Sequence, residues 1–481
     1  MASRSAHGGS GLGVSETRPL DASLLKRRLL SGGAWATGGK LGAALSGLAA
    51  NILLTRLLTP QEFGAYLLIV SVASVGALVG CLGLNKTVVR LVAESMGLNQ
   101  PDRARRTIAM VVGLGLIGAL VSSLVYLLAG VPLGRIFEAP ALATMAGLIA
   151  GWIAVTVLQE LSAQVFLGFH DVRSTTIFGS VAVGGSAGLL MRALLLACLA
   201  ALWFDRGQTN LSTVLLIMIG SGSISVLVSG LLLKVRMSSL PKADGDDDPR
   251  VGLKGMLGVS APFFVNDLAH FVLIYADIWI LAAYRSPAEV AVYGAAARFV
   301  ILVTMPLMIV NSVLPPVIAE LYARGERDRL ERTVRPVATL AGIPALVTLT
   351  TFVVAGGPIL GLVYGGFYSG GAAVLALLSL GKLTTVWTGS CGLTLQMTGH
   401  QGLMMYISLS TGLLFVLGSL LVVRDYGAVG LAGMGAATLI LQNLLMLLFA
   451  KKKAGIWTHV ELSSVPFRRL YTNLIGQGGD R

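Results

Sequence analysis

Charge is scarce in this chain. Asp, Glu, Lys and Arg supply 12% of its 481 residues, where a soluble domain averages about 25%. Apolar residues fill 55% of the sequence and mean hydropathy is +0.80. A soluble core cannot absorb that much apolar side chain, so lipid is the expected solvent. Cysteine is nearly missing. Cys81, Cys198 and Cys391 all lie in apolar segments, their number is odd, and they lack metal-ligand spacing; they read as small buried side chains. Acidic residues are few as well, 23 against 36 Lys and Arg, for a net charge of +13. In a soluble protein that excess suggests nucleic acid. Here the basic residues sit in short loops between apolar spans, which is a topology signal, and no nucleic-acid partner is expected.

Glycine and long apolar runs are what the chain has instead. Its 60 glycines suit close approach between membrane helices. A crossing helix needs about 20 mostly apolar residues. Twelve such spans are expected, at 31–55, 63–84, 107–130, 141–168, 174–203, 211–233, 255–283, 290–314, 337–363, 370–397, 402–423 and 427–450. An even count puts both termini on one side. If that side is cytoplasmic, the inside segments hold 27 Lys and Arg and the outside segments five, with four more within spans. The positive-inside rule thus supports both the count and the orientation. The expected organisation is a disordered cytoplasmic tail over 1–30, an N-lobe over 31–233, a cytoplasmic linker over 234–254, a C-lobe over 255–450, and a basic cytoplasmic tail over 451–481. The run Asp244-Gly245-Asp246-Asp247-Asp248 in the linker lacks the Glu that closes an EF-hand loop, so it reads as solvated linker. In the last segment, Lys451-Lys452-Lys453, Trp457, Phe467 and Arg468-Arg469 suit either an interfacial segment on anionic lipid or a stop-transfer anchor with a loose tail.

The halves echo each other. Thr59-Pro60-Gln61-Glu62-Phe63-Gly64-Ala65-Tyr66 matches Ser286-Pro287-Ala288-Glu289-Val290-Ala291-Val292-Tyr293 in hydroxyl, Pro, Glu and Tyr. The hydroxyl is a candidate N-cap, Pro suits the first helical position, and the acid suits the positive helix end. Val92-Ala93-Glu94, Asp102-Arg103 and Arg106-Thr107 recur as Ile318-Ala319-Glu320, Asp328-Arg329 and Arg332-Thr333 at nearly the same offset. Gly168 and His170 pair more weakly with Gly399 and His400. Six spans is an even number, so both copies enter the membrane in the same direction, an arrangement common in secondary transporters.

Residues Gly33-Ala34-Trp35, Leu54-Thr55-Arg56-Leu57-Leu58 with the Thr59–Tyr66 motif, Gly83-Leu84 and Val89-Arg90 resemble the first two spans of polysaccharide flippases. These belong to the multidrug/oligosaccharidyl-lipid/polysaccharide (MOP) exporter superfamily. Asp277-Ile278-Trp279-Ile280-Leu281 and the Ser286–Tyr293 motif extend the resemblance into the second half, with Ala291 where many relatives carry Gly. The resemblance implies an all-α polytopic membrane protein with two six-helix lobes around a central cavity. It further implies movement of an oligosaccharide on a polyprenyl pyrophosphate carrier from the inner to the outer leaflet of a bacterial inner membrane. Glycosyltransferases and a glycan polymerase are the expected partners beside membrane lipid, and no cofactor is expected.

Ionisable groups inside the spans give the sharpest physical clue, because each costs about 2.5–3.5 kcal/mol at a helix centre. Lys40, Arg192, Arg298 and Lys382 lie at depth in four spans. Lining a positive cavity, they suit a pyrophosphate, which Arg can bind bidentately; otherwise they snorkel or pair with acids. Asp267 lies about 18 Å along span seven and one turn from His270, on a shared face. That pair can carry a proton or help hold Na+, or it can be a structural pair or a salt bridge to Arg298 or Lys40. Asp277 reads as a structural bond within its lobe, and Glu160 as paired. Gln164, Asn51, Asn311, Gln396, Gln442 and Asn443 suit binding of sugar hydroxyls or, as the better reading for any one of them, joining helices by hydrogen bonds. Trp35, Trp203, Tyr66 and Tyr284 fall near span ends and read as interfacial belt residues. The outer loops are short and carry no catalytic triad or metal motif, so an enzyme is not expected. The alternative is a multidrug or organic-cation antiporter of the same fold, which calls for a more acidic or aromatic cavity.

Overall fold

The computed structural model describes residues 22–98, 100–179, 188–205, 207–239, 252–311 and 314–461. The first lobe comprises α1 (Ala22–Leu57), α2 (Pro60–Cys81), α3 (Leu84–Gly97), α4 (Pro101–Ile136), α5 (Ala141–Thr144), α6 (Ala146–Gly168), α7 (Val172–Phe178), α8 (Leu189–Asp205) and α9 (Leu211–Ser238). The second comprises α10 (Leu253–Tyr284), α11 (Pro287–Phe299), α12 (Ile301–Asn311), α13 (Leu314–Ala323), α14 (Arg327–Tyr364), α15 (Ala372–Trp387), α16 (Cys391–Met397) and α17 (Gln401–Phe449). A short 3-10 turn, Gly366–Gly371, precedes α15, and a π-turn, Ala450–Ala454, follows α17. Among the described residues, eight helical stretches are long and apolar enough to cross a bilayer. Among the described residues, helix falls within each of the twelve expected spans, in several cases as two or three pieces.

The pieces have local causes. α2 and α3 are one path bent at Leu82 and Gly83, whose φ values are 50° and 73°. α17 contains two passes that meet at Gly427, where φ is 53° and ψ is −137°, backbone that only glycine adopts readily. In α14 the break at Ala355 precedes Pro358, whose ring cannot sit against the carbonyl of the preceding turn. α3 continues past the expected end of span two, because Leu84, Val88, Leu91 and Val92 give it one buried face while Lys86, Arg90 and Glu94 keep it polar on the other. A hydropathy window sees only the mean.

The sequence repeat is a structural repeat. Thr59 and Ser286 cap α2 and α11, each accepting from the backbone N–H of the Glu three residues on. Pro60 and Pro287 open the two helices. Glu62 also accepts from Leu211 N at the start of α9, and Glu289 from Ala428 N just past the Gly427 break. In both halves, therefore, the acid of the motif satisfies an orphan N–H at the start of the sixth pass. The weaker echo shifts register in the structure: His170 and Gly399, with φ of 59° and 82°, are the residues that end α6 and α16 in left-handed turns. The Thr59 and Ser286 caps mark one end of the bundle, here called the capped end; the other is the basic end.

Within the first lobe α6 packs on α2, α3, α4 and α9, and α1 lies on α8. Within the second α15 packs on α14 and α17. The lobes meet along α2 and α3 against α10 and α11. Small residues allow this seam. A Cβ on Gly64 would come within 2.6 Å of the Pro287 carbonyl carbon and 3.1 Å of its Cα. Trp279 donates from its ring N–H to Ser71 Oγ across the seam at 2.9 Å.

The expected tails differ from the structure where it describes them. α1 begins at Ala22 rather than Ser31, and residues 1–21 lie outside the described residues. Most of the 234–254 linker, with its acidic run, also lies outside them, though α9 reaches Ser238 and α10 starts at Leu253. After α17 the chain is not loose. Ala454, Ile456, Thr458 and Val460 are buried while their neighbours are half-exposed, the alternation of an extended strap. The strap packs on Leu314, Ile318, Leu330 and Val334 and bonds Trp387 O through Val460 N at 2.9 Å. Residues 462–481 lie outside the described residues. Cys81 and Cys391 are buried as expected, whereas Cys198 is exposed on α8.

Candidate functional site

The four membrane cations begin on different helices. Lys40 lies in α1 directly after Gly39, which with Ala43 and Gly47 makes a face of small residues; the Lys40 side chain lies outside the described residues. That face lets α8 approach closely. Arg192 of α8 donates from Nη1 to Ala43 O, and lies 3.3 Å from Ser46 Oγ. A Cβ on Gly47 would stand 2.7 Å from the same nitrogen, so glycine there makes room for the guanidinium. Arg192 is half-buried, and no acid is among the partners that hold it.

Arg298 sits at the end of α11 in the other lobe, and its side chain is exposed. It lies within electrostatic reach of Arg192, Tyr66, Asp277 and Tyr364. Lys382 of α15 is also exposed, and Asp277 is within its reach. Arg192 of one lobe and Arg298 of the other are thus near enough to interact through space, and Arg298 and Lys382 are each near enough to interact with Asp277. Of the four groups just named, Arg192, Arg298 and Lys382 are cations and Asp277 is a carboxylate.

Asp277 is held as a lobe-internal bond. It accepts from Tyr293 Oη at 3.1 Å and from Ile278 N at 2.7 Å. Tyr66, the repeat partner of Tyr293, does something different. It stacks on Phe63 with ring centroids 5.9 Å apart and lies within reach of both arginines. The belt expectation for Tyr66 is therefore corrected: α2 starts at Pro60, and Tyr66 is about 9 Å along it, near both arginines. Tyr66 is the member of this site that hydropathy missed; the repeat with Tyr293 was the available signal. Trp203 and Tyr284 are 45% and 40% exposed, as belt residues are. The Trp35 side chain lies outside the described residues.

Asp267 is elsewhere, on the seam. Its carboxylate pairs with Lys86 of α3, a partner not anticipated from the sequence. Lys86 is 45% exposed at its side chain and Asp267 10%. The His270 side chain, expected to share its face, lies outside the described residues. Glu160 accepts from Gln164 at 2.7 Å. Helix-joining holds for Asn311, which accepts from Ser390 Oγ at 2.6 Å, for Gln442, which donates to Ser408 Oγ at 3.1 Å, and for Asn443, which donates to Thr385 Oγ1 at 3.0 Å. Asn51 instead bonds Gly47 O in its own helix at 2.7 Å.

Solved structures share this architecture. A multidrug resistance MATE family transporter of the MOP superfamily, in its inward-facing conformation, superposes with a TM-score of 0.68 at 15% identity, over 86% of this chain and 94% of that one. The outward-facing conformation of a transporter described in the same words gives 0.57 at 15% identity, over 89% and 96%. The lipid II flippase MurJ, in an inward closed conformation, gives 0.64 at 12% identity, over 93% of each chain. At these identities the likeness establishes the fold. No curated protein sequence matches at a significant level. Residues 29–322, more than half of the chain, match the profile of the family described as polysaccharide biosynthesis protein, and the chain belongs to that family.

Proposed function

We propose that this protein moves a polyprenyl-pyrophosphate-linked oligosaccharide from the inner to the outer leaflet of a bacterial inner membrane, by alternating access. What supports this reading is the proximity of Arg192 and Arg298, one from each lobe, among the membrane cations. Two nearby guanidiniums repel. An anion between them turns that repulsion into two charge-assisted interactions, and it does so only while the lobes hold both near it. A pyrophosphate suits such a pair, with Lys40 and Lys382 as further cations of the cavity and Tyr66 as a ring beside it. The polyprenyl tail stays in lipid, so only the head group needs the wet path; dragging it through hydrocarbon would be far more costly.

The basic end is assigned to the cytoplasm by the positive-inside rule. The greater similarity to the inward-facing transporter supports reading this structure as the inward-facing state. MurJ, a lipid II flippase of like fold, supports a lipid-linked cargo. The family supports polysaccharide biosynthesis, with glycosyltransferases supplying the cargo and a polymerase consuming it. Asp267 and His270 remain the coupling candidates. In this structure a proton or Na+ would compete with Lys86 for the Asp267 carboxylate, loosening the seam as it binds. An organic-cation exporter of the same fold would need its cavity charge reversed.

The test is lipid-linked oligosaccharide flipping in proteoliposomes with Arg192→Gln and Arg298→Gln. Each is expected to lower the rate at least about tenfold, the cost of one charge-assisted contact. Full-rate flipping by both variants, correctly folded and inserted, rejects the electrostatic role.

A further inference from the structure

The repeat makes one departure visible. Arg285 follows the last turn of α10 and satisfies carbonyls at the end of a pass in its own lobe. Its Nε donates to Val423 O at 3.1 Å and its Nη2 to Arg424 O at 2.7 Å, just before the Gly427 break. Arg56 stands at the equivalent corner, in the last turn of α1. It does not bond within its lobe in the same way. Its Nε donates to Val363 O at 3.2 Å and its Nη2 to Leu362 O, both in the last turn of α14 in the opposite lobe.

Those carbonyls are available for a physical reason. Gly365, with φ of 116°, ends α14, and its N–H returns only to Gly361 O. Leu362 and Val363 are among the last four carbonyls, which lack intrahelical donors and carry the negative end of the helix dipole. A guanidinium fits such a site with two parallel donors. The contact lies at the capped end, where Gly64 is pressed on Pro287.

We propose that Arg56 is the latch of the outer gate: a single cationic side chain that holds the lobes closed at the capped end and must release the α14 terminus before the cavity opens outward. This rests on the alternating-access reading above. The device is one-sided. At the corresponding corner of the other half, Arg285, one residue before Ser286 where Arg56 is three before Thr59, braces its lobe internally, so the lobes rotate as units while the Arg56 contact is made and broken.

The experiment uses the full-length protein in lipid nanodiscs with spin labels at Gln61→Cys and Ser369→Cys, both exposed and in opposite lobes at the capped end. Exposed Cys198 is changed to Ser, and buried Cys81 and Cys391 are kept. Wild type is expected to show a dominant short distance with a minor long one. Arg56→Gln is expected to raise the long-to-short ratio at least about tenfold, and Arg56→Lys, which keeps charge but not the fork, by less. Arg285→Gln is the control for simple loss of packing and is expected to leave the ratio unchanged. If wild type shows both distances and Arg56→Gln does not change their ratio, the latch is overturned while alternating access stands. If every variant shows one distance, both are overturned.

Discussion

Gly64→Ala should open the seam at the capped end. The magnitude follows from geometry. The new methyl would lie 2.6 Å from the Pro287 carbonyl carbon and 3.1 Å from its Cα, with the carbonyl oxygen closer still. Carbon contacts are comfortable at about 3.5–4.0 Å. The two backbones must therefore separate by about 1 Å, and neither can yield locally, because Pro287 opens a capped helix and Gly64 lies in the first turns of another. Overpacking of this kind costs about 1–3 kcal/mol, or roughly a five- to 150-fold shift away from the closed seam. Gly294→Ala is the internal comparison. Its methyl meets the tip of the Leu67 side chain, which can rotate, so its effect should be several-fold smaller. The Gln61–Ser369 label distance reads both variants. Equal behaviour of Gly64→Ala and Gly294→Ala, or a closed seam in both, would refute the claim that backbone contact sets this gate.

Three further outcomes follow from the structure. Lys86→Met should destabilise the detergent-solubilised protein more than Asp267→Asn, because the carboxylate is the more buried partner, and a double-mutant cycle should show coupling of about 1 kcal/mol or more; additive effects would dissolve the pair. Burial acts to raise the Asp171 pKa, but bonds from Ser174 N–H, Ser174 Oγ and Arg236 prevail and hold it below the usual carboxylate range. Its stabilisation is complete above the unfolded value near ~3.9 and is lost as pH falls through the lower folded one. The thermal-stability advantage of wild type over Asp171→Asn should accordingly shrink on acidification below about pH 4, and an advantage independent of pH counts against the assignment. Glu331 accepts from Trp457 N at 3.0 Å and pairs with Lys451 and Arg335, each at 3.5 Å. Glu331→Gln should loosen the strap and speed tryptic cleavage at Lys451–Lys453 several-fold; cleavage at the wild-type rate would place the strap's hold elsewhere.

The fold was largely legible in the sequence, and the site only in part. Apolar runs of about 20 residues report the passes directly, and the Thr59 and Ser286 motifs report their corners, because capping chemistry is local. Rotational phase is not local. Hydropathy could place Arg192 and Arg298 at depth, but the turn of α8 that seats Arg192 on the small face of α1 comes from packing. Tyr66 looked like an edge residue because the span was started at Phe63, after the polar residues of a helix that begins at Pro60. The Lys86–Asp267 pair joins residues 181 positions apart, and Lys86 lay in a segment read as a loop. The strap at 454–461 was hidden for a different reason: alternating burial on a protein surface leaves a weak mark when the buried residues are Ala, Ile, Thr and Val.

The most direct measurement is a structure of the full-length protein in nanodiscs with a polyprenyl-pyrophosphate-linked sugar bound. Phosphate density is expected between the lobes, within hydrogen-bond distance of Arg192 and Arg298 and beside Tyr66. Phosphates bound away from both arginines, or the two guanidiniums closed onto protein carboxylates with no anion between them, would contradict it.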